Sequence, residues 1–234
     1  MVKMRKSRII LGVMVVVGLA SFLIPIFLPD SSFNPNTGTW GLFVFIITLL
    51  TVAAFLSEFE RISMSSKEIG FIAILGAVSA VSRVPFAVVP GVQPCTFIII
   101  CTGYVFGPIA GFMVGAITPL ISNLFLGTGP WTLYQILAWG LVGFAAGFIN
   151  LERNWKLFLV GFMCGYLYGW ITNMWFWSSF IYPLNLNTFL AVQVNSLWFD
   201  SLHALGNVVF LWVFGPKTIR IFERYRGRFH IERI

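Results

Sequence analysis

Long apolar runs, separated by short polar or glycine- and proline-containing breaks, make up most of this 234-residue sequence. A helix needs about 20 apolar residues to cross a bilayer, and most of the runs approach or reach that length. The pattern therefore predicts eight membrane-spanning helices, at Ile9–Leu28, Trp40–Ser57, Ile69–Val89, Pro94–Phe106, Pro108–Phe125, Trp131–Phe148, Trp155–Trp177 and Thr188–Phe214. The fourth run is too short to span upright, so it is either tilted or begins nearer Val92.

Composition agrees with this pattern, because 58% of the residues are hydrophobic and 10% are charged. A soluble domain carries about a quarter charged residues. The chain is thus interpreted as an all-α polytopic membrane protein, since only helices and closed barrels satisfy their backbone in hydrocarbon. The first run exceeds the apolar length of a signal peptide and lacks an A-x-A site, so we expect it to be retained.

Apart from Arg83, the basic residues lie outside the predicted spans or at their ends, and all fall on one side of the membrane if there are eight spans. They are Lys3, Arg5, Lys6, Arg8, Arg61, Lys67, Arg153, Lys156, Lys217, Arg220, Arg224, Arg226, Arg228 and Arg233. The positive-inside rule then predicts that both termini are cytoplasmic. The net charge of +7 is interpreted as topology plus attraction to anionic lipid of the bilayer, not as nucleic-acid binding.

Residues 122–135, SNLFLGTGPWTLYQ, crowd amide side chains around a tight turn inside an otherwise apolar sequence. In the predicted topology this turn lies on the outer side, together with the other polar and aromatic residues of the later spans. The predicted substrate-binding residues at this level are Arg83, Gln93, Asn123, Trp131, Gln135, Asn173, Trp177, Asn195, Trp198, Asp200 and His203.

Each of these residues also has a structural interpretation. A single tryptophan can belong to the interfacial belt, Arg83 can reach outward to water, and amides can bond helix to helix. Ionisable groups at membrane depth are costly and usually face a cavity or a partner, which favours a site around Asp200 and His203. Taken together, the set predicts an outward-opening pocket for a polar small molecule. Asn123→Ala and Gln135→Ala are then expected to weaken binding with little loss of thermal stability.

Small residues recur at intervals of four, which places them on one helix face and lets helices approach closely. We expect two series, Gly103 to Gly115 and Gly161 to Gly169, to serve internal packing. Cys95, Cys101 and Cys164 show no metal-ligand spacing and are interpreted as packing residues. No permanently bound cofactor or metal is expected.

The run CTGYVFGPIAGFMVGAITPLISNLFLGTGPWTLYQILAWGLVGFAAG resembles the substrate-binding membrane subunits, or S components, of energy-coupling factor (ECF) vitamin transporters. The elements FGPIAGFMVGA, SNLFLGTGPWT and QILAWGLVGFAAG look most like the cobalamin-type branch. The resemblance covers about residues 66–216, a six-helix substrate-binding core. It divides the chain into two extra N-terminal helices at 1–65, that core, and a basic cytoplasmic tail at 217–234.

The resemblance implies a high-affinity subunit of an ATP-driven importer in a prokaryotic plasma membrane, with cobalamin as the leading vitamin. It implies separate partners, an ECF transmembrane coupling subunit and two ATPase subunits. The family's A-x-x-x-A docking pattern matches Ala73 and Ala77. No G-x-x-x-x-G-K-[ST] phosphate loop occurs in the chain, so ATP hydrolysis is expected in the partners and the chain is not expected to be an enzyme.

Other functions stay open at this point. The chain resembles S components for other vitamins or micronutrients as well. A stand-alone secondary transporter could use Arg83, Asp200 and His203 as a charge relay, although it needs access from two sides and the polar residues cluster on one. An intramembrane enzyme could pair Ser122 or Ser201 with His203, but no G-x-S-x-G or H-E-x-x-H motif accompanies them.

Overall fold

A computed structural model describes residues 6–39, 41–47, 49–50, 53, 66–149 and 154–229. Within these ranges the regular structure is helical and contains no strand. The helices are α1 Lys6–Phe27, α2 (residues 41–47 and 49–50), α3 Ser66–Arg83, α4 Cys95–Phe106, α5 Pro108–Leu126, α6 Trp131–Ala146, α7 Asn154–Phe180, α8 Leu186–Val213 and α9 Gly215–Phe229. Short turns of other helix types follow α1 at Pro35–Thr39 and α3 at Val84–Val88.

The all-helical fold predicted from the apolar runs is confirmed, and seven of the runs coincide with described helices. The second run coincides in part with α2, and eight of its eighteen residues lie outside the described ranges. Among the described residues, three helical segments are long and apolar enough to cross a membrane: Gly70–Val88, Pro108–Leu126 and Lys156–Phe180. Helices α8 and α9 meet the same criterion as one pair bent by 62°, and α4 and α6 are apolar but shorter. The number of eight spans and the side of the termini stay predictions.

Helices α4 and α5 are separated by a single glycine, and a second glycine ends α5. Gly107 and Gly127 have φ angles of 100° and 97°, which side chains other than glycine rarely adopt. The amide of each also donates to a carbonyl of the preceding helix, Gly103 and Asn123 respectively. The Gly-Pro and Gly-Thr-Gly-Pro sequences thus end each helix sharply and bring α4, α5 and α6 side by side.

Helices α4, α5 and α6 cross at glycines. A Cβ atom at Gly103 or Gly111 would overlap the carbonyl oxygen of Gly143 in α6, and one at Gly115 would overlap the backbone at Trp139. Small residues at such positions let helix backbones approach closely where no hydrophobic effect drives association. These three helices form the buried centre of the molecule.

Helix α7 packs along α8 through the second glycine series. Space for a side chain at Gly161 is taken by Leu211, at Gly165 by Ala204, and at Gly169 by the Asp200 carboxylate. The molecule is therefore built from two tightly packed units, α4–α6 and α7–α8. Helix α3 packs on α5, and α1 lies against α6 and α7.

Helix α9 folds back against one end of the bundle. Phe222 is buried and contacts Phe71 of α3 and Phe106 of α4. Arg226 Nη1 donates to the carbonyl of Val105, 2.9 Å away, near the C-terminal end of α4. The remaining basic residues of α9 are exposed: Lys217, Arg220, Arg224 and Arg228. This end of the bundle is opposite to the one where α3 ends at Arg83.

Candidate ligand-binding site

Arg83, at the end of α3, is buried among neutral polar groups. Its Nε donates to Gln93 Oε1 at 3.1 Å, and its Nη1 donates to Ser122 Oγ at 2.8 Å and Asn123 Oδ1 at 2.7 Å. The guanidinium also lies 4.8 Å from the ring centroid of Trp139, a distance typical of a cation–π contact. Within the described part of the chain, no carboxylate forms a hydrogen bond with the guanidinium. Its positive charge is therefore stabilised by two amide oxygens, a hydroxyl and an aromatic ring.

Asn123 extends this network from α5 to α6. Its Nδ2 donates to Thr132 Oγ1 at 3.0 Å and to Gln135 Oε1 at 2.8 Å. The contact depends on the short turn between the helices, where the ring of Trp131 occupies the space that a side chain at Gly129 would need. The crowding of amides in the sequence thus corresponds to a hydrogen-bonded junction of two helix ends.

A second group of buried side chains lies behind Trp139. Its Nε1 donates to Thr96 Oγ1 at 2.9 Å, and the same hydroxyl lies 2.8 Å from His203 Nε2. The ring of Tyr168 lies 4.4 Å from Trp139 and 4.7 Å from His203, centroid to centroid. Thr96, Trp139 and Tyr168 were not among the residues predicted from the sequence. Trp139 could have been found, because it follows Gln135 by four residues and so shares its helix face.

Asn173 is the centre of a corresponding network between α7 and α8. Its Nδ2 donates to Gln193 Oε1 at 3.0 Å and to Ser196 Oγ at 2.6 Å, and lies 3.5 Å from Asp200 Oδ2. The Ser196 hydroxyl donates to the same Asp200 oxygen at 2.7 Å. Asp200 fits beside α7 because Gly169 has no side chain.

A cavity of about 400 Å³ separates these two networks. It lies between α6 and α7, and its lining residues are Trp131, Gln135, Tyr168, Thr172, Asn173, Trp175 and Phe176. A larger cavity of about 910 Å³ shares Trp131 and Trp175 with it and extends past the ends of α1 and α7. A third cavity of about 450 Å³, between α1, α5 and α6, has only apolar side chains or glycine among its lining residues. The first cavity is therefore the one that amide side chains of both networks, Gln135 and Asn173, line.

Most of the residues predicted to bind substrate gather here. Arg83, Gln93 and Asn123 form the network behind the cavity, Trp131, Gln135 and Asn173 line it, and Asp200 and His203 are buried beside it. Three others lie elsewhere. Asn195 and Trp198 are on the exposed face of α8, while Trp177 is buried and donates through Nε1 to Thr188 Oγ1 at 3.0 Å. The binding role of each residue stays a prediction.

The geometry does not assemble the catalytic pair that an intramembrane enzyme would need. A nucleophile must lie within hydrogen-bond reach of its base. His203 is bonded to Thr96, whereas Ser122 accepts from Arg83 and Ser201 is bonded to Tyr166 at 2.8 Å. Among the residues that the structure describes, no group of three or more metal-ligating side chains occurs.

Comparison with known proteins identifies the family. The family described as ECF transporter, substrate-specific component, matches residues 67–214. A UPF0397 protein of Vibrio atlanticus (strain LGP32) is 27% identical over 172 residues, which is 65% of this chain and 88% of the relative. UPF0397 proteins of two Aliivibrio fischeri strains, MJ11 and ATCC 700601 / ES114, are each 26% identical over 128 residues, 47% of this chain and 69% of each relative. No solved structure gives a significant match. Because the family match spans more than half of the sequence, the chain belongs to the substrate-specific components, or S components, of ECF transporters.

Proposed function

We propose that this chain captures a vitamin in the cavity between α6 and α7 and delivers it to the other subunits of an ECF importer. The observation that carries the proposal is the meeting of two buried amide networks at one cavity, with Gln135 on one wall and Asn173 on the other. Pockets for small molecules combine apolar walls with a few fixed polar groups. The cavity has both, because Trp131, Trp175 and Phe176 supply the aromatic part of its wall.

The cavity is proposed to open to the outside of the cell. It lies near the end of the bundle where α3 ends, whereas the basic helix α9 packs against the opposite end. Basic residues are enriched on the cytoplasmic side of membrane proteins. This distribution supports a topology with α9 and both termini inside and the ligand entrance outside, in a multi-pass protein of the cell membrane.

Energy for transport is proposed to come from an ECF transmembrane coupling subunit and two ATPase subunits. The chain contains no phosphate loop, and its family is a transporter component and not an enzyme family. On α3, Ala73 is exposed and Ala77 half-buried, and both lie beside the exposed side chains of Ile74, Val78 and Val81. Small residues within an apolar face suit close contact with another membrane helix.

Cobalamin is the leading ligand in this proposal. Amide side chains both donate and accept hydrogen bonds, which suits a ligand rich in carboxamides, and the neighbouring cavity of about 910 Å³ offers room for a large molecule. Equilibrium binding of the detergent-purified chain to a panel of vitamins tests it, with nanomolar retention of cobalamin as the expected result. Tight binding of a different vitamin would retain the vitamin-capture role and reject cobalamin. A chain that binds no vitamin would reject the role itself.

A further inference from the structure

The orientation of the Asn123 amide is fixed by Arg83. A guanidinium has only donors, so the group of Asn123 that meets Arg83 Nη1 at 2.7 Å must be its carbonyl oxygen, Oδ1. The Nδ2 group of Asn123 then faces the other way and donates to Thr132 and Gln135. Arg83 of α3 thus orients the Asn123 amide of α5 so that its Nδ2 group faces α6.

The same reasoning fixes Gln135, which lines the cavity. Its Oε1 accepts from Asn123 at 2.8 Å, so the group that remains for its other neighbours is the Nε2 end of the amide, which only donates. Tyr168, on α7, also lines the cavity and lies close to Gln135. A hydroxyl that accepts from Gln135 keeps its own O–H to donate, so the Gln135 side of the cavity offers hydrogen-bond donors in either case.

Asp200 fixes the opposite wall with the opposite polarity. Asp200 Oδ2 accepts from the Ser196 hydroxyl, and the Ser196 oxygen in turn accepts from Asn173 Nδ2 at 2.6 Å. Nδ2 of Asn173 also donates to Gln193. Its carbonyl oxygen, Oδ1, forms no hydrogen bond within the described part of the chain and is the group that Asn173 has left to offer at the cavity.

From this arrangement, and resting on the proposed function, we infer that the cavity selects a neutral carboxamide-type group. Such a group presents an acceptor oxygen to the donors on the Gln135 wall and an N–H donor to the carbonyl of Asn173. Primary amides and cyclic amides both carry this pair of groups on adjacent atoms. Arg83 and Asp200 act as positioning residues, since each sets the polarity of one wall without lining the cavity itself.

A carboxylate is the matched ligand that this site should reject. It has the same shape as a primary amide but only accepts, so its second oxygen would face the carbonyl oxygen of Asn173 with no hydrogen between them. Leaving one buried polar contact unpaired corresponds to about 5- to 150-fold weaker binding. Simple attraction to the Arg83 charge predicts the reverse, tighter binding of the carboxylate, so the two ideas are distinguishable.

The test compares carboxamides with their carboxylic acids by equilibrium binding to the purified chain. The probes are cobalamin with its monocarboxylic acids, and nicotinamide with nicotinic acid. We expect the amide member of a binding pair to be retained, and at least one acid derived from it to bind about 5- to 150-fold more weakly. Acids that all bind as tightly as their amides, or a tight ligand without an adjacent acceptor and donor, overturn the inference.

Asn123→Asp tests whether the chain of hydrogen bonds from Arg83 through Asn123 to Gln135 sets the polarity of the cavity. It does so without changing a residue that lines the cavity. The new carboxylate still accepts from Arg83 but has no N–H for Gln135, so the Gln135 amide is expected to rotate and turn its oxygen to the cavity. The preference for the amide over the acid should then fall to about threefold or less. Asn187→Asp makes the same chemical change at an exposed position of α8 and should leave the preference unchanged.

Gln135→Glu provides a second route if Asn123→Asp does not fold, because Glu accepts from Asn123 and also presents an acceptor to the cavity. A variant that is monodisperse and thermally stable but keeps the full preference for the amide overturns the proposed role of this chain of hydrogen bonds. If the wild-type chain binds no vitamin, the proposed function fails and the inference falls with it. If it binds a vitamin without distinguishing amide from acid, only the inference fails.

Discussion

Asn123 and Gln135 are hydrogen-bonded to each other but differ in the number of hydrogen bonds they form. Alanine substitutions should therefore lower the stability of the chain to different extents. Asn123 is 2% exposed and takes part in three side-chain hydrogen bonds, one of them from the Arg83 guanidinium. Gln135 accepts one hydrogen bond, from Asn123, and lies at the cavity. The sequence alone predicts that both variants keep their thermal stability. The structure revises this for Asn123.

The magnitudes follow from those bonds. A hydrogen bond to a charged group contributes about 1.5–3 kcal/mol and a neutral one about 1 kcal/mol, so Asn123→Ala should lose about 4 kcal/mol of stability. At about 2–4 °C per kcal/mol for a chain of this length, its Tm should fall by about 8–16 °C. Gln135→Ala loses one neutral bond, about 1 kcal/mol, and its Tm should fall by about 2–4 °C.

Thermal unfolding of the detergent-purified variants measures this difference without any ligand. Asn187→Ala, at an exposed position, is the control and should match the wild type. Ligand binding gives the second readout, and Gln135→Ala should weaken it by about 5- to 150-fold despite its nearly normal Tm. An Asn123→Ala variant as stable as Gln135→Ala would show that the buried Arg83 network does not stabilise the fold, and would refute the reasoning.

Three further predictions concern packing, assembly and energy. Gly143→Ala should destabilise the chain by about 1–3 kcal/mol or more, because the new methyl overlaps the backbone at Gly111, whereas the methyl of Gly12→Ala meets open space. The Tm of the two variants measures the difference, and equal Tm values would contradict the prediction. Ala77→Leu should block copurification with the coupling subunit but leave ligand binding intact, and Ala191→Leu, at an exposed position of α8, is its control; an intact complex with lost binding would show that Ala77 packs within the chain. Transport in proteoliposomes should require the partner ATPases and ATP; accumulation by the chain alone on a proton gradient would favour a secondary transporter.

The helices were predictable because residues close in sequence determine where each helix ends. Apolar runs end at residues with special backbone preferences, such as Gly107 and Gly127, and helices α4 and α5 end directly before these two glycines. The resemblance to S components is confirmed by the family match, whereas the cobalamin branch stays a proposal. What apolarity could not predict is the compact docking of α9, since the burial of Phe222 depends on residues of α3 and α4 that are distant in sequence.

The site was predictable only in part, for a reason that α8 shows clearly. Gln193, Ser196, Asp200 and His203 follow each other at intervals of three and four, so they share the helix face that packs inward. Trp198 is two residues before Asp200, and residues two apart do not share a face. The helical period thus accounts for the exposure of Trp198, which its side-chain type alone suggested as a ligand contact.

The position of the cavity connects the packing of the bundle with its proposed use. Glycine contacts hold α4, α5 and α6 together as one unit and α7 with α8 as another, and the cavity lies where α6 meets α7. The proposed donor wall, at Gln135, belongs to the first unit, and the proposed acceptor wall, at Asn173, belongs to the second. A ligand that bonds to both walls therefore joins two units that are each already well packed. Because each wall is oriented by a buried side chain that does not line the cavity, Arg83 of α3 for Gln135 and Asp200 of α8 for Asn173, the proposed polarity of the site is set before the ligand arrives. Binding therefore need not spend free energy on reorienting the amides.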